Sequence, residues 1–292
     1  MIAVPLFVMI SGALFLNLNK EITLEKLLKK NFLKLILCLC IFSYLFCLME
    51  TFFNNRKISA NLFLISLKNA IEGNSWAHLW YMYMLPGIYL FVPLLRSFIR
   101  SSSEKEFKFT LAVLFIFLSV IPTAEEFFSI KIGLNIPVSS VWLFYFLLGH
   151  AIHSEKIEFS LKTDIILIAI SLIYLTVAVF IPGFQKTNDA SVKLTGTSSI
   201  FSVLYSIGLF SLVKKIHKKD NLKITKTLSS LSLGIYIFHA VTINFAYKVL
   251  KLQPQKINIF FMWILVFMAS LFSSCAVTWL LRKIPFVKKY IL

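Results

Sequence analysis

The feature that most constrains this chain is a succession of long apolar runs, nine in number, separated by short polar segments. They cover residues 2–16, 33–53, 79–99, 109–122, 138–152, 165–182, 198–213, 231–250 and 257–281. A helix needs about 20 apolar residues to cross the hydrocarbon core of a bilayer. The runs therefore predict an all-α fold, a multi-pass transmembrane helical bundle with about nine helices in this chain. No intervening stretch is long or polar enough to form a soluble domain, so residues 1–292 read as a single integral-membrane domain.

Composition supports the same conclusion. Hydrophobic residues make up 58% of the chain and charged residues 15%, against roughly 45–50% apolar and about 25% charged in soluble domains. A water-exposed surface cannot hide that excess, which excludes a cytosolic enzyme, a disordered protein and a nucleic-acid-binding domain. The formal net charge of +17 would suggest an anionic polymer as partner in a soluble protein. In this chain it follows the rule that basic residues gather in cytoplasmic loops. Of the 30 basic residues, 21 fall in one set of alternate loops together with the C-terminal tail, and nine fall on the opposite side. Subtracting acidic residues leaves +13 on the first side and +4 on the second. The expected topology has nine crossings and a cytoplasmic C-terminus, with residue 1 on the outer side.

That orientation is unusual for a first helix. The run 2–16 carries Pro5 and no basic residue before it, so it lacks the basic leader of a signal peptide. A helix entering from outside normally follows one that brought the chain out. The sequence thus reads as though it begins one helix late, and a preceding helix is expected. Between the first two runs, residues 21–34 are amphipathic. Leu24, Leu27, Leu28 and Phe32 fall on one face and Glu25, Lys26, Lys29 and Lys30 on the other, the pattern of a helix lying in the cytoplasmic interface.

No nucleotide-binding loop, metal-ligand spacing or Ser/His/Asp order is legible. Cys38, Cys40, Cys47 and Cys275 all sit in apolar runs without a C-x-x-C pair and read as small hydrophobes. Ionisable groups at membrane depth are costly and mark candidate sites. His239 lies inside the run 231–250, eight residues from its cytoplasmic end and so about 12 Å deep. A neutral imidazole there suits a general base. His78 opens the run His78-Leu79-Trp80-Tyr81, where position alone suggests the aromatic belt of the outer interface. His150, His153 and His217 are expected in solvated or interfacial places, Arg96 as a snorkelling anchor, and Glu125 and Glu126 in an outer loop.

Three strings resemble a known family. Val4-Pro5-Leu6-Phe7-Val8-Met9-Ile10-Ser11-Gly12 resembles the Ser-Gly end of the second helix in the membrane acyltransferase-3 family of bacterial surface-polysaccharide O-acyltransferases. His78-Leu79-Trp80-Tyr81, continuing to Pro93-Leu94-Leu95, resembles its H-L-W helix. Ser232-Leu233-Gly234-Ile235-Tyr236-Ile237-Phe238-His239 resembles its penultimate S-x-G-I-Y-L-x-H helix. The family has about ten helices. Its first carries a basic residue and a histidine taken as catalytic, which matches the helix expected before residue 1. The family's cytoplasmic Arg-x-x-Arg falls on Asn31-Phe32-Leu33-Lys34. The second position keeps its charge and the first does not, with Lys29 and Lys30 beside it.

The resemblance implies a membrane O-acyltransferase that moves an acyl group, acetyl in the first instance, from a cytoplasmic donor to a hydroxyl of a surface polysaccharide or its lipid-linked precursor. It implies acyl-coenzyme A as donor substrate, no bound cofactor or metal, and the bacterial cell membrane as location. Partners would be the donor, the glycan or lipid-linked sugar acceptor and membrane lipids, with no nucleic acid. His239 becomes the catalytic candidate, and Lys30, Lys34, His78, Trp80 and Tyr236 become the substrate-binding candidates. The alternative is a transporter or flippase of lipid-linked sugars or small solutes. That reading calls for paired intramembrane charges or broken half-helices in two matching halves, and the sequence displays no such repeat.

Overall fold

The computed structural model describes residues 3–55, 60–180, 194–216, 223–252 and 258–292. His217, with its expected loop position, lies outside the described residues. Those residues are helical or in short connections, with no strand among them. In chain order the helices are α1 (Ala3–Phe15), α2 (Leu33–Asn55), α3 (Ala60–Ile71), α4 (Trp80–Ser101), α5 (Glu104–Phe115), α6 (Ile121–Phe128), α7 (Val141–His153), α8 (Leu161–Phe180), α9 (Ile200–Ile216), α10 (Lys223–Asn244), α11 (Ile259–Leu281) and α12 (Pro285–Tyr290). Each of the nine apolar runs falls on a helix. Six stretches are long and apolar enough to span a membrane: Leu24–Asn54, Ala77–Ser101, Glu104–Phe128, Leu161–Ala178, Thr225–Val249 and Phe260–Leu281. The chain is a multi-pass helical membrane protein.

Several expectations shift in detail. The amphipathic stretch forms no separate in-plane helix. Leu24–Asn54 is one continuous helix of 31 residues, whose first turns pass through a wider-wound segment at Leu27–Phe32. The fourth run lengthens to Glu104–Phe128, because a Ser103–Glu106 capping box starts it early and α6 carries it on. Glu125 and Glu126 consequently lie within a helix, not in a loop, and Glu125 accepts the Ile132 N–H at 2.7 Å. Helix α3 had no counterpart among the runs.

The chain divides into two compact units. One comprises Met1–Ile22 and Leu90–Lys219, the other Thr23–Tyr89 and Asp220–Leu292. In the first, α7 is the central element, with ten of its residues buried. It packs against α1 at the closest range backbones allow. A Cβ on Gly12 would meet the carbonyl of Phe146, and one on Gly149 would meet the backbone of Met9. Glycine at both positions lets dispersion and backbone contact hold two helices together where no hydrophobic drive separates them from lipid. Helices α8 and α9 pair similarly, with Gly208 against the Asp164 carbonyl.

Polar groups in this unit are used for construction. Arg96 is 8% exposed, so it does not snorkel. Its guanidinium donates to the carbonyls of Phe15 at 2.8 Å, Asn17 at 3.0 Å and Lys20 at 2.7 Å. A cation thereby satisfies the open carbonyls beyond the C-terminus of α1. Asp164, fully buried, pairs with Lys215 and accepts from Ser211 at 3.2 Å. His150 is buried rather than interfacial. Its ring stands edge-on to Phe107, and neither ring nitrogen has a hydrogen-bond partner among the described residues. His153 is exposed, as its helix-end position predicts.

In the second unit α10 packs on α11, and α2 on α3. Ser270, Ser274 and Thr278 make a small-residue stripe on α11, and Gly234 of α10 sits directly against Thr278. Within each unit, the polar contacts join groups that the loop charges place on the same side. Arg96 reaches the α1 end, Lys214 reaches Glu155 at 3.1 Å, Lys248 reaches Glu50 at 3.0 Å and Arg282 reaches Ser230 at 2.8 Å.

Candidate functional site

The second unit brings together polar and aromatic groups that its sequence scatters over four segments. A short 3₁₀ turn, Ala77–Leu79, precedes α4 and holds His78 half-buried. From α10 come Tyr236 and His239. The His78 ring lies 5.1 Å from that of His239, at an interplanar angle of 81°. Two histidines from distant segments thus meet edge to face.

Their hydrogen bonds fix which nitrogens are available. His239 Nδ1 is 2.6 Å from the carbonyl oxygen of Tyr236. A carbonyl only accepts, so Nδ1 carries the proton and Nε2 keeps its lone pair. His78 Nε2 is 3.2 Å from the Ile237 carbonyl, which leaves the lone pair on His78 Nδ1 by the same argument. The Tyr236 hydroxyl donates to the His78 carbonyl. The turn bearing His78 is therefore tied twice to α10, once to its backbone and once to the Tyr236 side chain, which holds the ring in place.

Aromatic rings surround the pair. Phe46 of α2 stacks on Trp76 with centroids 4.6 Å apart and planes 11° from parallel. Both rings flank His78, at 5.8 and 6.1 Å. Tyr81 packs edge-on against Tyr236 at 5.6 Å. The indole N–H of Trp76 donates to Glu50 at 3.1 Å, and Lys248 donates to the same carboxylate at 3.0 and 3.2 Å.

Of these groups Glu50, Trp76, His78 and Lys248 border a cleft of about 550 Å³, within the size range of small-molecule sites, while Phe46, Tyr81, Tyr236 and His239 do not line it. About half of its wall is polar, with Glu50, Thr51, Asn54, Asn69, Asn74, Ser75, Asn244 and Lys248 beside Trp76 and His78. Amides, hydroxyls and one indole face are the groups that hydrogen-bond and stack upon a polyhydroxylated ring. No group of three or more His, Cys, Asp or Glu side chains suited to a metal ion occurs among the described residues. All four cysteines are free.

The sequence-derived candidates separate into two places. His78, Tyr236 and His239 converge. Because α10 begins earlier than its apolar run, His239 is about 21 Å along the helix from Thr225 and about 15 Å from Val249. Trp80 is 38% exposed and packs on Tyr81, but it does not line the cleft. Lys34 is half-buried and Lys30 exposed. Both lie toward the other end of the long helix through α2, Lys34 about 20 Å along it from the cleft residue Cys47. The sequence reading passed over Phe46, Glu50, Trp76 and Lys248. Trp76, two residues before His78, was the nearest available signal.

Comparison with known proteins gives one match. A family model described as an acyltransferase domain, that of the acyltransferase-3 family, covers residues 1–283. No curated protein matches the chain. No solved structure matches it either.

Proposed function

Because the chain belongs to the acyltransferase-3 family, we propose that the polar cleft of the second unit takes the hydroxyl-bearing acceptor and that His239 is the general base. Its activity is transfer of an acyl group other than an aminoacyl group. The finer reading is O-acylation, acetylation in the simplest case, of a surface polysaccharide or its lipid-linked precursor in a bacterial cell membrane. The donor would be acyl-coenzyme A from the cytoplasm, the side to which the charge count assigns the C-terminus and Lys30 and Lys34. These lysines would meet donor phosphates, since an ammonium group suits phosphate as a point charge.

In this reading His239 Nε2 removes the proton of the acceptor hydroxyl as its oxygen attacks the thioester carbonyl. The tetrahedral intermediate collapses with cleavage of the carbon–sulfur bond. The proton passes from the imidazolium to the departing thiolate, leaving an ester and free coenzyme A. His78 lines the cleft and orients the acceptor, Trp76 offers a stacking face, and Tyr236 holds the His78 turn in place. The observation that carries the reading is that His78, which lines the polar cleft, meets the ring of His239 edge to face behind it.

The test uses the full chain in lipid nanodiscs, radiolabelled acetyl-coenzyme A and an extract of envelope glycans as acceptor pool. His239→Ala should lower label transfer by about 10²–10⁴-fold while leaving the thermal midpoint within a few degrees. Unchanged transfer in that variant would remove His239 from the chemistry.

A further inference from the structure

Beside the polar cleft lies a second cavity of different chemistry. It holds about 390 Å³ and is walled by Phe42, Phe46, Phe238, Val241 and Val277 among others. Its polar contribution comes from Ser274 and from the hydroxyl pair of Thr242 and Ser273, 2.5 Å apart. The two cavities share a partition. Phe46 lines the apolar crevice and its ring is stacked on Trp76, which lines the polar cleft.

Helix α10 carries the same division along its surface. Phe238, Val241 and Thr242 face the crevice, whereas Ala240 and Asn244, with Lys248 in the wider-wound turn that follows, face the cleft. His239 lines neither cavity and meets the cleft wall through the ring of His78. Phe46, which lines the crevice, stands 5.8 Å from the His78 ring, so a chain seated in the crevice would end beside the histidine pair. Phe42 stands edge-on to Phe238 at 5.1 Å, closing one end of the crevice with rings rather than with polar groups.

We propose that this crevice seats the hydrocarbon chain of the acyl donor and so sets which acyl groups the protein transfers, extending its range beyond acetyl. The inference rests on the acyl-transfer reading above and deepens it. Continuity with the histidine site through Phe46 singles out the donor chain as occupant. The tail of a membrane lipid would enter from the bilayer side, past Leu45 and Met49, with no need of the partition.

The experiment compares equilibrium binding of acetyl-coenzyme A and octanoyl-coenzyme A to the full chain in nanodiscs, with empty nanodiscs subtracted. The two probes share every group except the methylenes. Octanoyl-coenzyme A should bind at least about tenfold more tightly, a fraction of what full burial of its extra methylenes would give. Thr242→Trp, which fills the crevice from α10, should bring the ratio of affinities to about one. Val277→Trp does the same from α11 and serves where the first variant loses its fold. Equal affinity of the two donors for the unaltered chain overturns the crevice assignment alone. A ratio that survives both substitutions overturns it too, by showing that the chain binds elsewhere or dissolves in lipid. Absence of binding by either donor removes the acyl-transfer reading itself.

Discussion

The two units of this molecule treat polar groups in opposite ways. In the unit made of Met1–Ile22 and Leu90–Lys219, charged and hydrogen-bonding side chains are spent on joining helices. Arg96 closes the end of α1, and Asp164 ties α8 to α9 through Lys215 and Ser211. In the unit made of Thr23–Tyr89 and Asp220–Leu292, the polar groups surround a larger open space, about 550 Å³ against about 160 Å³ beside Lys214 and Lys215 in the first. Glu50 is bonded to Trp76 and Lys248, yet all three also line a cleft with His78. A buried ionisable group in a membrane protein is by default a candidate for chemistry. The comparison adds a criterion: it becomes a strong candidate when its unused valence faces a cavity, and a structural tie when protein already fills it.

Breaking the first unit should produce the largest effect. Gly149→Leu places a branched side chain where even a Cβ would collide with the Met9 backbone. Neither α1 nor α7 can yield by a rotamer change, so the helices must separate. The expected cost is upwards of ~3 kcal/mol, at the high end for overpacking, read as loss of monodisperse protein or a large fall in thermal midpoint. A folded Gly149→Leu protein of unchanged midpoint would mean that α1 and α7 are not held by backbone contact.

Asp164→Ala comes next. It leaves the Lys215 ammonium, about one-third exposed, without its carboxylate. Removing one partner of a fully buried pair costs about 3–5 kcal/mol; partial solvation of Lys215 reduces that to roughly 1–3 kcal/mol. The double variant Asp164→Asn with Lys215→Met should recover part of the loss. Acyl transfer per folded molecule should not change in either case. A specific fall in turnover would show that the first unit contributes more than scaffold.

Much of the fold was legible because bilayer thickness imposes one length scale on every spanning helix. Each apolar run of the sequence lies on a helix, and the polar ties of each unit join residues assigned to a common side. Helix α3 escaped because Ser66, Lys68 and Asn69 break its apolar surface within 12 residues, too short to read as a span. The misplacement of Arg96 has a different origin. A terminal arginine on an apolar helix has carbonyls or water as alternatives, and only the position of the α1 end decides between them. At the site, His239 was visible as an imidazole at membrane depth, and the family strings added His78 and Tyr236. Their meeting was not visible, since His78 bonds to a carbonyl 159 residues away. Glu50 and Lys248, 198 residues apart, escaped for the same reason. Pairwise tertiary contacts leave no periodicity in a single sequence.

The smallest expected effect tests where construction ends and chemistry begins in the second unit. Glu50 is linked to Trp76 and Lys248, and its side chain is 40% exposed while that of Lys248 is 59% exposed. An ion pair so solvated is worth ~0.2–1 kcal/mol. Glu50→Gln keeps an oxygen to accept the Trp76 indole N–H and removes only the charge. Turnover should then fall by less than about threefold, with the midpoint nearly unchanged and KM for the acceptor slightly raised. Glu50→Ala removes the indole acceptor as well. Trp76 would then lose its anchor beside Phe46 and His78, and acceptor KM should rise further than in Glu50→Gln while kcat changes less. If instead Glu50→Gln reduces kcat as severely as His239→Ala, the carboxylate itself acts on the reacting hydroxyl. The general base would then be shared between α2 and α10, and the Glu50–Lys248 pair would belong to the chemistry rather than to the wall of the cleft.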